Sequence, residues 1–119
     1  MRPLFITWEY PPIKAGGIAN HCEDLAVRLA NQGHEPVVIT QGETPGYEKR
    51  DGVEVHRVTT NDAAPNTLSW SMQFGFEVEN KAVELEKEDD FDFVHAHDWM
   101  AVPGATGIKK SLDKPMAFT

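Results

Sequence analysis

The sequence predicts a doubly wound α/β domain, a mostly parallel sheet with helices on both faces. Three observations lead to that class. Short apolar runs alternate with amphipathic stretches of helical period, the order expected of strand–helix units. Residues 37–40, Val-Val-Ile-Thr, form a continuous β-branched run, as in a strand covered on both faces. The chain has 119 residues, 40% of them hydrophobic, enough for one core and too few for two, so residues 1–119 are read as a single domain.

Each element follows from its own pattern. Residues 4–8 are an apolar run that ends at a Pro- and Gly-rich turn, residues 10–17, and read as a buried first strand. Ile18, Cys22, Leu25, Ala26 and Leu29 then share one helical face, and Gly33 stands where a helix-ending glycine is expected. With the run at 37–40, this makes a strand–helix–strand unit long enough for a right-handed crossover. Residues 41–52, rich in Gly, Pro and charge, read as loop, and residues 53–58 alternate as an edge or half-exposed strand would. After a polar loop at 61–66, Trp70, Phe74, Val78 and Leu85, with Met72, Phe76 and Val83 widening the stripe, predict a long helix to about Glu88, weakened at Gly75. Residues 91–97 read as a strand, 99–110 as a helix and 115–119 as the start of another strand.

Charge excludes some functions. The net charge is −8, and residues 77–92 carry eight carboxylates against two lysines, the signature of a solvated helix face. The longest basic cluster is Lys109-Lys110, so the footprint for nucleic acid is missing. No apolar run approaches the roughly 20 residues of a membrane span, and the N-terminus lacks a signal-peptide core. Cys22 is the only cysteine; it reads as a buried structural thiol, and a cytoplasmic setting is expected.

Two loops stand out for chemistry, because ligands of a parallel α/β sheet bind where strand-to-helix loops converge. The first holds Lys14-Ala15-Gly16-Gly17 just before the first helix. Backbone amides there, the positive end of the helix and the Lys14 ammonium suit a phosphate-bearing anion; a tight turn with a solvated lysine is the alternative. The loop fits neither a dinucleotide fingerprint nor a P-loop. The second is His95-Ala96-His97-Asp98-Trp99. It reads as a metal site of His95, His97 and Asp98, as a polar crevice wall, or as structural histidines; a catalytic metal needs three protein ligands and no further cluster completes one. His34 reads as structural, while His21 and His56 carry no signal.

Taken together, the stretches 8–18, 25–40 and 93–99, from Trp8-Glu9-Tyr10-Pro11-Pro12 through Lys14-Ala15-Gly16-Gly17 to His95-Ala96-His97-Asp98-Trp99, resemble the N-terminal domain of glycogen synthases and related retaining glycosyltransferases of the family 4 and 5 type. The resemblance runs from Leu4 to Thr119. It implies a Rossmann-like, single incomplete N-terminal domain of a two-domain glycosyltransferase-B fold, acceptor-side, with a C-terminal nucleotide-binding domain not among these residues and supplied in cis or as a separate chain. The implied activity is retaining transfer of a hexose, glucose foremost, from a nucleotide diphosphate sugar to a glucan or other glycosyl acceptor, without metal or cofactor; this chain alone is expected to be inactive.

Carried onto this sequence, the resemblance makes Lys14, Gly16 and Gly17 the donor-phosphate loop and Asp98 the cleft aspartate beside the reacting sugar. Glu9, Tyr10, His97 and Trp99 become further cleft contacts. Met100 stands where synthases often carry a histidine, which weighs against a glucan synthase and for another hexosyltransferase. Tyr10 and Trp99 are expected to be exposed, favouring a partner or a homodimer. The competing readings are a non-catalytic nucleotide- or sugar-binding module and a metal-dependent hydrolase using His95, His97 and Asp98.

Overall fold

The computed structural model describes residues 1–13, 17–60 and 66–119. Its elements are β1 (Pro3–Ile6), α1 (Ile18–Asn31), β2 (Val37–Gln41), β3 (Gly46–Arg50), β4 (Val53–Val58), α2 (Thr67–Glu86), β5 (Phe93–Ala96), a 3₁₀ turn (Trp99–Ala101), α3 (Val102–Leu112) and β6 (Met116–Phe118). The sheet runs β3-β4-β2-β1-β5-β6, parallel throughout except for β3 against β4. The predicted α/β class is the observed one.

Side chains of β1 alternate between two apolar layers, as a central strand requires. Leu4 and Ile6 pack with Phe74, Val78 and Leu85 of α2 and Ala105 and Ile108 of α3. Phe5 points the other way, to Cys22 and Ala26 of α1. The small residues Ala19, Cys22 and Ala26 form the buried line of α1 and let the helix lie close to the sheet. At its end Gly33, at φ +90°, forms a Schellman cap: the Gly33 amide donates to Ala30 and the His34 amide to Leu29, both at 3.1 Å.

Gly75 has a use beyond weakening α2. A Cβ there would stand 2.7 Å from the Gly104 nitrogen, so the glycine pair permits close contact between α2 and α3.

Three expectations are corrected. Residues 41–52 are not all loop: β3 forms there and turns into β4 through Asp51-Gly52, both at positive φ as a tight hairpin demands. Consequently β4 is not the edge of the sheet; it is paired on both sides, with Val53, Val55, His56 and Val58 buried. Finally, Met72 and Phe76 lie outside the buried stripe of α2, 58% and 63% exposed, because the helix is covered on one side only, by the sheet and α3.

Candidate functional site

The strand order reverses at β1, with β2 on one side and β5 on the other. In a doubly wound sheet that point opens a crevice at the carboxyl ends of the strands, between the loops following β1 and β5. These are the two loops picked out in the sequence, and the fold ties them together: the His97 amide donates to the Ile6 carbonyl at 2.9 Å. Lys14 and Gly16 lie outside the described residues; Gly17 is the N-cap of α1.

Glu9 is fully buried, and its Oε1 accepts the Ala19 amide at 3.2 Å. Gly17 makes no side-chain cap, so a carboxylate ten residues from Ala19 satisfies one of the first donors of α1. Thr7 supports the turn, its Oγ1 donating to the Glu9 carbonyl at 2.9 Å.

Tyr10 is not the exposed cleft aromatic that was expected. It is fully buried, packed with Phe5, Cys22, Val38 and Val55. The chain reverses immediately after it, the Ile13 amide donating to the Tyr10 carbonyl at 3.0 Å, and the ring is carried under α1. Burial first, then the neighbouring Cys22, raises its phenol above the ordinary range, and burial pushes the Cys22 thiol up to about 12, in keeping with an inert structural cysteine.

After β5, Asp98 sits at φ 70°, ψ 161°, a region that residues with a side chain rarely enter and that costs about 1–3 kcal/mol. Its amide donates to the Thr119 carbonyl and its Oδ1 accepts the Trp99 amide, both at 2.7 Å, so the carboxylate caps the 3₁₀ turn that leads into α3. Trp99 is 49% exposed, as expected. An Asp just ahead of a predicted helix is a readable N-cap signal, and it would have revealed this second duty from sequence alone.

The rings of His95 and His97 lie 4.1 Å apart between centroids, tilted by 33°, and His21 of α1, which carried no signal in the sequence, reaches within 5.9 Å of His97. His97 is fully buried, and neither ring nitrogen has a hydrogen-bond partner among the described residues. Burial, then His95 and His21, lower its pKa to about 4. Burial and His21 also lower that of His95, whose Nε2 lies 2.7 Å from Thr119 Oγ1. Among the described residues no three His, Cys, Asp or Glu side chains are grouped to hold a metal ion, so His95, His97 and Asp98 do not form the ligand set of the hydrolase reading.

The fold, with its strand-order reversal at β1, is that of a Rossmann-like α/β domain, and the comparisons with known proteins give its family. Glycosyltransferase Family 4 matches residues 15–119. An uncharacterized glycosyltransferase of Methanocaldococcus jannaschii is 44% identical over 101 residues, which is 84% of this chain and 25% of that protein. A glycogen synthase of Mycobacterium tuberculosis is 30% identical over 139 aligned residues, covering 100% of this chain and 33% of the relative. Among solved structures, sucrose-phosphate synthase from Thermosynechococcus elongatus superposes with a TM-score of 0.79 at 12% identity, over 98% of this chain and 32% of that one. The chain belongs to glycosyltransferase family 4, and its fold is that of a GT-B N-terminal domain. It spans a quarter to a third of the length of these relatives. No helix among the described residues is long and apolar enough to cross a membrane.

Proposed function

We propose that this chain is the acceptor-side, N-terminal part of a retaining hexosyltransferase that moves a sugar, glucose foremost, from a nucleotide diphosphate donor to a glucan or other glycosyl acceptor. The observation that carries this reading is the adjacency of the loops after β1 and β5 at the strand-order reversal, joined through His97 and Ile6. Family membership supports the transferase chemistry, and the share of the relatives that the chain spans supports a second, nucleotide-holding domain in cis or on a separate chain, without which it is inactive. A cytoplasmic setting fits the buried Cys22 thiol.

In the proposed reaction the bond from the sugar C1 to the diphosphate breaks while a bond to an acceptor hydroxyl forms on the same face. The hydroxyl proton leaves with the diphosphate. Negative charge grows on the departing phosphate, so the amides of Gly16 and Gly17 and the Lys14 ammonium stabilise the transition state more than the bound donor. Asp98 keeps Oδ1 on Trp99 and offers Oδ2 to a sugar hydroxyl or to positive charge at C1. His97, neutral at pH 7, supplies a donor and an acceptor without adding charge.

Titration of ¹⁵N-labelled chain with UDP-glucose and ADP-glucose tests the donor loop. Shifts are expected at the Gly17, Ile18 and Ala19 amides at millimolar ligand and should vanish in Lys14→Ala. Silent amides, or shifts untouched by that substitution, refute the assignment.

A further inference from the structure

The outer face of α2 carries an apolar row. Leu68, Met72 and Phe76 recur at every fourth position and are 64%, 58% and 63% exposed, while Phe74, Val78, Ala82 and Leu85 of the same helix lie in the core. Residues so spaced form a ridge along one side of a helix. At those exposures the three side chains leave about 400 Å² of apolar surface in water, within the range where the largest patch of a single chain often serves an interaction. We infer that this ridge pairs with the same ridge of a second copy of the chain, the two α2 helices lying antiparallel about a two-fold axis at Met72.

Charge selects a second copy over a membrane. Residues 67–76 carry no charged side chain, whereas Glu77, Glu79, Lys81, Glu84 and Glu86 crowd the second half of α2. An anionic lipid surface is held by Lys and Arg beside an apolar face; the apolar half of α2 has neither, and the chain as a whole carries −8. A copy of the same neutral segment brings no charge into the contact. Centred on Met72, an antiparallel pair sets Leu68 of each helix against Phe76 of the other. Each Glu77 then lies five residues beyond the axis, so the two carboxylates are about 15 Å apart along the helices, past the screening length of about 8 Å at physiological salt. A parallel pair would instead set like carboxylates side by side from Glu77 onward.

The relief of the surface fits the same arrangement. Between the row of Met72 and Phe76 and the neighbouring row of Gln73 and Glu77 runs a groove of about 410 Å³, with Thr60 beside it. A ridge next to a groove lets two identical helices interlock, because the ridge of each enters the groove of the other. The two ridges contribute about 800 Å², and the flanking Ser69 and Gln73 bring the buried total to about 1,000 Å², the lower bound of a specific interface. The helix is also held from behind: Trp70 stacks on Phe74 at 5.0 Å, Ser71 Oγ donates to the Met100 carbonyl at 3.0 Å, and Gly75 lies against Gly104. Little backbone entropy is therefore lost when the face is covered.

Sedimentation velocity of the 119-residue chain, run from about 5 to 200 µM for an interface of this size, should show monomer passing to dimer. Because Met72 faces its own copy across the axis, Met72→Glu and Met72→Lys should each weaken pairing at least about tenfold by pressing like charges together. An equimolar mixture of the two should recover the dimer, since opposite charges then meet. Met72 is exposed in the monomer, so the Tm of each variant should stay near that of the parent. Phe118→Lys, on the exposed strand β6, is the control and should leave pairing unchanged. The two-fold contact is overturned if the chain stays monomeric throughout, if dimers survive both Met72 substitutions, if the mixture does not pair, or if Phe118→Lys abolishes the dimer. A monomer that floats with phosphatidylcholine vesicles, and ceases to in Met72→Glu, assigns the ridge to lipid and overturns it as well.

Discussion

Replacing His97 with Phe tests whether a buried, neutral imidazole shapes the crevice. Both states of the wild-type protein contain His97, but they titrate differently: about 4 when folded, against an ordinary value of 6.5. The unfolded chain therefore binds the proton more readily between those values. For a depressed histidine this means stability that is present above about pH 6.5 and is lost as pH falls toward 4. Worked through for one group, the loss between pH 7 and pH 4.5 is about 2 kcal/mol, a large fraction of what a small domain possesses. Urea unfolding across this range contains contributions from other groups as well, so the measurement is the difference in pH dependence between wild type and His97→Phe. The variant should lack about 2 kcal/mol of the acid sensitivity. Parallel pH profiles for the two proteins would refute the buried neutral state.

Two further substitutions probe the backbone that holds the site. Gly75→Ala should destabilise by about 1–3 kcal/mol in urea unfolding despite the better helix propensity of Ala, because the added methyl meets the Gly104 backbone; a gain in stability would contradict the close helix contact. At position 98, Asp98→Ala loses the cap on Trp99 and keeps the unfavourable φ, whereas Asp98→Gly loses the cap but relieves strain of about 1–3 kcal/mol. The Gly variant should therefore have the higher Tm, and the opposite order would refute the strain.

The central strands were legible because burial leaves a local mark: continuous apolar runs at β1 and β2 can be satisfied only between two layers. The edge strand β3 leaves none. Glu48, Lys49 and Arg50 are the charges that keep an exposed edge from pairing with another chain, and the same charges make it read as loop. Its signal lay in Asp51-Gly52, a hairpin turn flanked on one side by an alternating strand. The two crevice loops were legible as composition, Lys-x-Gly-Gly and His-x-His-Asp-Trp, but their neighbourhood was not, since it depends on β1 separating β2 from β5. Tyr10 was misread for a similar reason: its burial is decided by the reversal between Tyr10 and Ile13, not by the residues beside it in the chain.

Glu9 changes how the donor loop must work. A helix N-terminus facing solvent would offer its amides to a phosphate unopposed, but here a buried carboxylate already accepts the Ala19 amide. A diphosphate arriving at the preceding amides brings negative charge within about one helical turn of it. At roughly 6 Å and an effective dielectric of about 20, the repulsion between two unit charges is about 3 kcal/mol, more than an exposed helix dipole returns. A cation beside the loop would offset that repulsion. In the proposed site that part is assigned to the Lys14 ammonium, which makes Lys14→Ala the informative control in the titration.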